Sequence, residues 1–331
     1  MKRLFVAITA IMTSISLWAD NYTVTVVYKD NKATITIPEE VAGYVSVTSG
    51  SSSHVKLVQT STNDDNPGEI IYQLSGSSAD GEFYMTGEYK ATLQLNGLTL
   101  TNPDSTAIHI KDGKRIKVSM MSGTTSTLAD GVTDTESKGC FHSKGHTEFV
   151  GRGTLNIVSN IRHAIFSKEY VEIKNCTINI TGAKKDGIHC QQYFKMTSGT
   201  VNISGVEDDG IQVELKGEEP FAGSETEDED TGNFYMTEGT LAISDYGASA
   251  IKAAGSVTFT GGIQNFPLID VMENATGIRV VGTDREEPDF DHADSIYDLN
   301  GRQLPAGSQP QKGVYILRKG KQAKKIQFLG K

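Results

Sequence analysis

Short runs of alternating apolar and polar residues recur along most of this chain, and the runs themselves repeat. "GTLNIVSNIRHAIFS" starts at Gly153, "CTINITGAKKDGIHC" at Cys176, "GTVNISGVEDDGIQV" at Gly199 and "GTLAISDYGASAIKA" at Gly239. Each start precedes a central isoleucine (Ile165, Ile188, Ile211, Ile251) by 12 residues, and "NGLTLTNPDSTAIHI" keeps that offset from Asn96 to Ile108. The first three starts are 23 residues apart, and the fourth follows after 40. A period of this length announces a solenoid. Within each unit the apolar residues form three pairs spaced by two, the strand period. They are Leu155/Ile157, Ile165/Ser167 and Val171/Ile173 in one unit, then Ile178/Ile180, Ile188/Cys190 and Phe194/Met196 in the next. Val201/Ile203, Ile211/Val213 and Phe234/Met236 follow, and Leu241/Ile243, Ile251/Ala253 and Val257/Phe259 close the series.

Three strands per coil of about 23 residues, stacked coil on coil, predict an all-β chain folded as a parallel β-helix rising about 4.8 Å per coil. Right-handedness is expected from the general preference of parallel crossovers. The helix is expected over 70–284, with coils beginning near Gly81 because "FYMT" at 83–86 recurs at 234–237. Residues 20–69 contain "YTVTVVYKDNKATITIP", a hairpin pattern suited to an N-terminal β cap over the first coil. Charged residues 285–294 read as a linker, and 295–331 as a small C-terminal β module of three strands.

Equivalent residues of successive coils stack into columns, so candidate sites are read across coils. The column Thr106, His163, Asp186, Asp209, Ser249 sets two aspartates about one strand spacing apart, with Asp208 beside them and Glu214 shortly after. Two like charges at ~5 Å repel by about 1 kcal/mol in water and about 3 kcal/mol at a surface-like dielectric. Calcium, which takes several oxygen ligands, would offset that at Asp186, Asp208, Asp209 and Glu214. Pairing of Lys185 with Asp208, beside Lys184, would do so without metal, and the glycines of the two Asp-Gly-Ile phrases would then serve turns of positive φ. A second constellation lies on the outer face of the first strand, where Thr154, Thr177 and Thr200 form one column, continued by Thr240, and Asn156, Asn179 and Asn202 the next. Such an array suits the hydroxyls of an extended polysaccharide, or it satisfies itself as cross-strand pairs do. Tyr170 and Tyr193 stack near the third strand, either as a support for sugar rings or as cover for a coil edge.

Charge narrows the partners. The chain carries −10 overall, but residues 20–294 hold 21 Lys and Arg against 40 Asp and Glu, a net of −19, while 295–331 carry +7. Such a body repels nucleic acid and anionic membranes and attracts divalent cations. The insertion "GEEPFAGSETEDEDTG" (217–232) adds seven acids, as a solvated loop or a cation-gathering rim. Met1-Lys2-Arg3, an apolar stretch over 4–17 and Ala19 read as a signal peptide over 1–19. The stretch is short and lacks a charged stop-transfer flank, so no membrane insertion is expected. Cys140, Cys176 and Cys190 are odd in number and sit at packing positions, with Cys140 aligned to the central isoleucines. His109, His163 and His189 fall at differing offsets and suggest no metal triad. No nucleophile elbow, phosphate loop or zinc spacing is present. Arg162 alone would serve a lyase as base, so catalysis is not favoured.

The segment "NGLTLTNPDSTAIHIKDGKRIKVSMMSGTTSTLADG" (96–131) and the Gly-Thr-x-x-Ile and Asp-Gly-Ile coils resemble a family of secreted bacterial carbohydrate-binding proteins over roughly 70–270. The resemblance implies a right-handed, pectate-lyase-like parallel β-helix that binds acidic plant polysaccharides such as polygalacturonate with calcium. Only Asp186-Gly187-Ile188 and Asp209-Gly210-Ile211 keep the family's full phrase; the other coils read His163-Ala164-Ile165, Ser249-Ala250-Ile251 and Thr106-Ala107-Ile108. The tail "IYDLNGRQL…KGVYILRKGKQAKKI" is similar to C-terminal sorting domains of the type IX secretion system of gram-negative bacteria, which implies secretion machinery as a partner and an extracellular or cell-surface location. The expectation is therefore an exported, non-catalytic polysaccharide-binding protein. A lyase or hydrolase on the same scaffold and a surface adhesin are the alternatives.

Overall fold

The computed structural model describes residues 21–49, 53–60, 68–131, 137–216, 230–273, 279–280, 295–298, 302–305, 313–319 and 322–328. The leader (1–19), the linker (285–294) and residues 217–229 of the acidic insertion lie outside them. The described chain forms the expected parallel β-helix. Its first wall stacks Thr154–Val158, Thr177–Ile180, Thr200–Ile203 and Thr240–Ile243 in parallel, with Leu155, Ile178, Val201 and Leu241 in one inward column. The second wall stacks Ile108, Phe141, Ile165, Ile188, Ile211, Ile251 and Val271. The third stacks Ile116, Thr147, Val171, Phe194, Phe234 and Val257. The first and third walls belong to one large sheet, and the second is a sheet of its own.

Alternation explains the core. Every second residue of a strand points inward, so a one-residue slip would turn the apolar column out to water. The central isoleucines are fully buried, and Phe194 and Phe234 stack within the core with ring centroids 4.9 Å apart. All three cysteines are free and buried, and burial raises their thiols above the usual range, so they pack as small apolar groups. Cys190 stands between Ser167 and Val213, as its spacing predicts.

Three expectations need correction. Phe141, not Cys140, occupies the central column, since it pairs with Ile108 on one side and Ile165 on the other. The two "FYMT" phrases mark different walls: Phe83 pairs with Ile108 in the second, and Phe234 with Val257 in the third. Gly187 and Gly210 do not sit at positive φ. A Cβ on Gly187 would come within 2.7 Å of the Ile203 side chain and the Gly210 carbonyl, and one on Gly210 within 2.6 Å of Ile243 and the Ala250 carbonyl. Closeness of neighbouring coils, not turn geometry, selects the small residue.

At the N-terminal end, Thr23–Lys29 and Lys32–Thr36 form an antiparallel hairpin whose first strand pairs in parallel with Ile70–Ser78. A second antiparallel pair, Val45–Ser49 with His54–Gln59, continues the second wall through Glu82–Gly87. Ser295–Asp298, Gly313–Lys319 and Gln322–Phe328 form a separate three-stranded antiparallel sheet. Among the described residues no helix is long and apolar enough to cross a membrane.

Asp130 is a buried acid within this frame. Its carboxylate accepts hydrogen bonds from Ser159 Oγ (2.7 Å) and the Asn160 amide (2.5 Å), yet burial outweighs them and raises its pKa to about 6. A raised carboxyl contributes stability that is fully present below its unfolded value, about 3.9, and is lost as pH rises through about 6. Asp130→Asn keeps an acceptor without the charge. Its melting temperature is expected to exceed the parent's at pH 8, with the difference closing below pH 4 in thermal melts across that range.

Candidate metal and carbohydrate site

The turn between the first and second walls carries the aspartate column, and side chain meets backbone there in a regular way. The Asp186 amide donates to His163 Nδ1 (3.3 Å), the Asp209 amide to Asp186 Oδ1 (3.1 Å) and the Ser249 amide to Asp209 Oδ1 (2.9 Å). Each column residue thus satisfies the buried N–H of its successor, where the bend interrupts ordinary strand pairing. This gives the acid of each Asp-Gly-Ile phrase a structural task and leaves one oxygen of each carboxylate for something else.

Those remaining oxygens have different surroundings. Asp186 Oδ2 lies 3.1 Å from His163 Nδ1 and 2.8 Å from His189 Nδ1, and His189 Nε2 lies 3.3 Å from Glu214 Oε2. Burial alone would raise the Asp186 carboxyl, but hydrogen bonds and charge from the two histidines hold it well below the usual carboxylate range. For His189, burial is outweighed by the hydrogen bonds it donates to Asp186 and Glu214, so its pKa rises; for His163 burial prevails and its pKa falls. Asp209 Oδ2 is buried without a hydrogen-bond partner. Lys252 Nζ, 3.4 Å away and half exposed, supplies charge but not a well-directed bond. The Asp209 carboxyl is raised mainly by burial, opposed by Lys252 and reinforced by Asp186.

Of the four residues expected to bind metal, Asp186, Asp208 and Asp209 come together, with one ligand atom from each within 4.8 Å of the others. Glu214 does not join them; it reaches His189 instead. The expected Lys185–Asp208 pair is replaced among the described residues by Lys184 with Glu207 and Lys252 with Asp209. The histidines are the largest departure from expectation. His163, Asp186 and His189 form a second group whose ligand atoms also lie within 4.8 Å of one another. The signal was present in the sequence: His163 shares the Asp186 column, and His189 follows Asp186 by three residues across the bend.

The outer face of the first wall keeps its columns. Thr154, Thr177 and Thr200 are neighbours in register, as are Asn156, Asn179 and Asn202. The asparagine amides bond along the column, Asn179 Nδ2 to Asn156 Oδ1 (2.9 Å) and Asn202 Nδ2 to Asn179 Oδ1 (2.8 Å), and all six side chains are half-buried. Tyr170 and Tyr193 stack 4.7 Å apart with only 1% and 5% exposure, and His146 covers the other face of Tyr170. Their hydroxyls reach Glu148 and Glu172. Rings whose faces are taken in this way form a spine along the coils rather than an open platform for sugars. Arg162 is half-buried beside His163, and its Nε has no hydrogen-bond partner.

Comparison with known proteins adds to this geometry. Residues 56–286 match the family model described as "Carbohydrate-binding domain-containing protein". The chain belongs to this family. A carbohydrate-binding domain-containing protein of Acetivibrio thermocellus is 26% identical to it over 112 residues, 31% of this chain and 39% of that protein, so the match spans well under half of the relative's length. A solved structure, a gadolinium derivative of the polysaccharide lyase-like protein from C. thermocellum, is similar with a TM-score of 0.56 at 22% identity, covering 80% of this chain and 95% of that one. At that identity the likeness supports the coil architecture, whereas the family match supplies the carbohydrate connection.

Proposed function

We propose that this member of the family is an exported, non-catalytic polysaccharide-binding protein that holds an acidic, pectate-like glycan through calcium bound at Asp186, Asp208 and Asp209. The observation that carries the reading is the buried Asp209 Oδ2, left without a hydrogen-bond partner beside a half-exposed Lys252 in a group that Asp186 and Asp208 complete. A hard cation with oxygen ligands suits that donor set, and it relieves the repulsion among three acids. A body of −19 over 20–294 repels a polyanion, so a bridging divalent ion is what lets the two meet. The Thr and Asn columns supply hydroxyls and amides alongside, at one coil spacing, for contacts to successive sugars. The leader and the type IX-like tail fit delivery to the cell surface, where such a glycan would be met.

Polygalacturonate and a neutral glucan, each immobilised and offered the protein in millimolar calcium or in EDTA, test the reading. Retention on polygalacturonate in calcium alone is expected. Equal retention with and without EDTA removes the calcium bridge, and retention on neither glycan removes polysaccharide binding. An ultraviolet-absorbing unsaturated product from polygalacturonate would make the protein a lyase.

A further inference from the structure

The same turn carries a second donor set that shares Asp186 with the calcium reading and adds two histidines that reading does not use. We propose that His163 Nδ1, His189 Nδ1 and Asp186 Oδ2 form a site for a divalent transition-metal ion of the zinc class, pinning two successive coils together. His163 belongs to the coil that starts at Gly153, and Asp186 and His189 to the one that starts at Cys176. The donors are enclosed, with Asp186 0%, His163 4% and His189 6% exposed.

Proton accounting at His163 argues for a cation. The Asp186 amide aims its N–H at Nδ1, so that nitrogen offers a lone pair. The same nitrogen lies 3.1 Å from Asp186 Oδ2, so a proton or a metal ion must stand between the two. A proton on Nδ1 would bridge to Asp186 Oδ2, and either occupant takes the lone pair from the Asp186 N–H. The amide contact at 3.3 Å is longer than most N–H bonds, so giving that lone pair to a metal sacrifices little.

The surroundings match what such sites use. A histidine ligand usually gives its second nitrogen to a carboxylate, which fixes the tautomer and ring orientation, and Glu214 stands 3.3 Å from His189 Nε2. The Phe166 ring, stacked on His189 at 5.2 Å and beside His163 at 5.7 Å, holds both imidazoles in place. Two imidazoles with one carboxylate favour zinc-like ions, in contrast to the all-oxygen set of Asp186, Asp208 and Asp209. Zinc bonds of about 2.0–2.2 Å place tetrahedral donors about 3.3 Å apart, so the present 2.8 and 3.1 Å must open by only a few tenths of an ångström.

The test uses the tag-free full chain, stripped with EDTA and titrated with Zn2+ alone by calorimetry, and with Co2+ alone by visible absorption. One equivalent of zinc, a cobalt d–d spectrum and a higher melting temperature with zinc are expected. His163→Asn with His189→Asn should abolish the spectrum, while asparagines still able to bond Asp186 keep the chain folded, as circular dichroism would show. Glu214→Gln should weaken zinc by roughly 10–100-fold. Excess calcium should leave the cobalt spectrum in place. Absence of zinc uptake by the folded parent, uptake undiminished in the double variant, or displacement of cobalt by calcium would each overturn the site. No glycan enters these measurements, so their failure leaves the calcium–pectate reading standing, and failure of that reading leaves the zinc site standing.

Discussion

Asp209→Asn is expected to abolish calcium-dependent retention on polygalacturonate while leaving the β-helix intact. The asparagine keeps an Oδ1 to accept the Ser249 N–H, so the amide column is preserved. What disappears is the charge on a carboxylate whose second oxygen is buried without a hydrogen-bond partner and, among the described residues, meets only the half-exposed Lys252. Calcium affinity should fall at least tenfold, equivalent to about 1.4 kcal/mol or more, read by calorimetry with calcium alone. In EDTA the variant should melt at or above the parent at neutral pH. The Asp209 carboxyl is raised by burial, so its contribution to stability is present below the unfolded value and lost as pH rises through the folded one. A variant that loses calcium binding together with its circular dichroism signal would show the aspartate to be structural, and unchanged calcium affinity would remove it from the site.

Ile188→Ala is expected to destabilise the chain by about 2–5 kcal/mol, the range for removing a fully enclosed branched side chain. Ile188 is 0% exposed and lies in register between Ile165 and Ile211, so neighbours above and below cannot close the void without moving their own columns. Ile263→Ala serves as the control. That residue ends a first-wall column at 58% exposure, and its loss should fall within about 0.5 kcal/mol. Urea or thermal unfolding distinguishes the two. Coils contact only their neighbours, so Ile188→Ala should also broaden or split the transition. Equal effects at the two positions would contradict the stacking register.

The walls were legible because strand period and coil period reinforce each other. Leu155, Ile178, Val201 and Leu241 announce a column before any coordinates exist, and the structure places them in one. The coil centred on Phe141 escaped notice because its extra residues break the 12-residue offset and an aromatic replaces the isoleucine. The antiparallel pair at 45–59 has no repeat to reveal it. At the site, stacking set Asp186 over Asp209, but periodicity is blind to what happens within a bend. Whether Glu214 turns toward the acids or toward His189, and whether His189 reaches Asp186, depends on side-chain direction at positions where no ladder operates. The Tyr170–Tyr193 stack followed from spacing, while its burial depends on His146 and the adjoining acids.

The two places where the repeat length changes have a consequence for how such a protein diversifies. The sequence is longer than its neighbours between Thr125–Asp130 and Gly139–Ser143 and again between Ile211–Val213 and Asn233–Met236, yet pairing resumes in step at Gly139 with His163 and at Asn233 with Tyr193. Phase is therefore reset at every tier rather than inherited along the chain. New segments can be spliced into a corner without retuning the interior, which lets the rim of the scaffold change its target while the shaft stays the same.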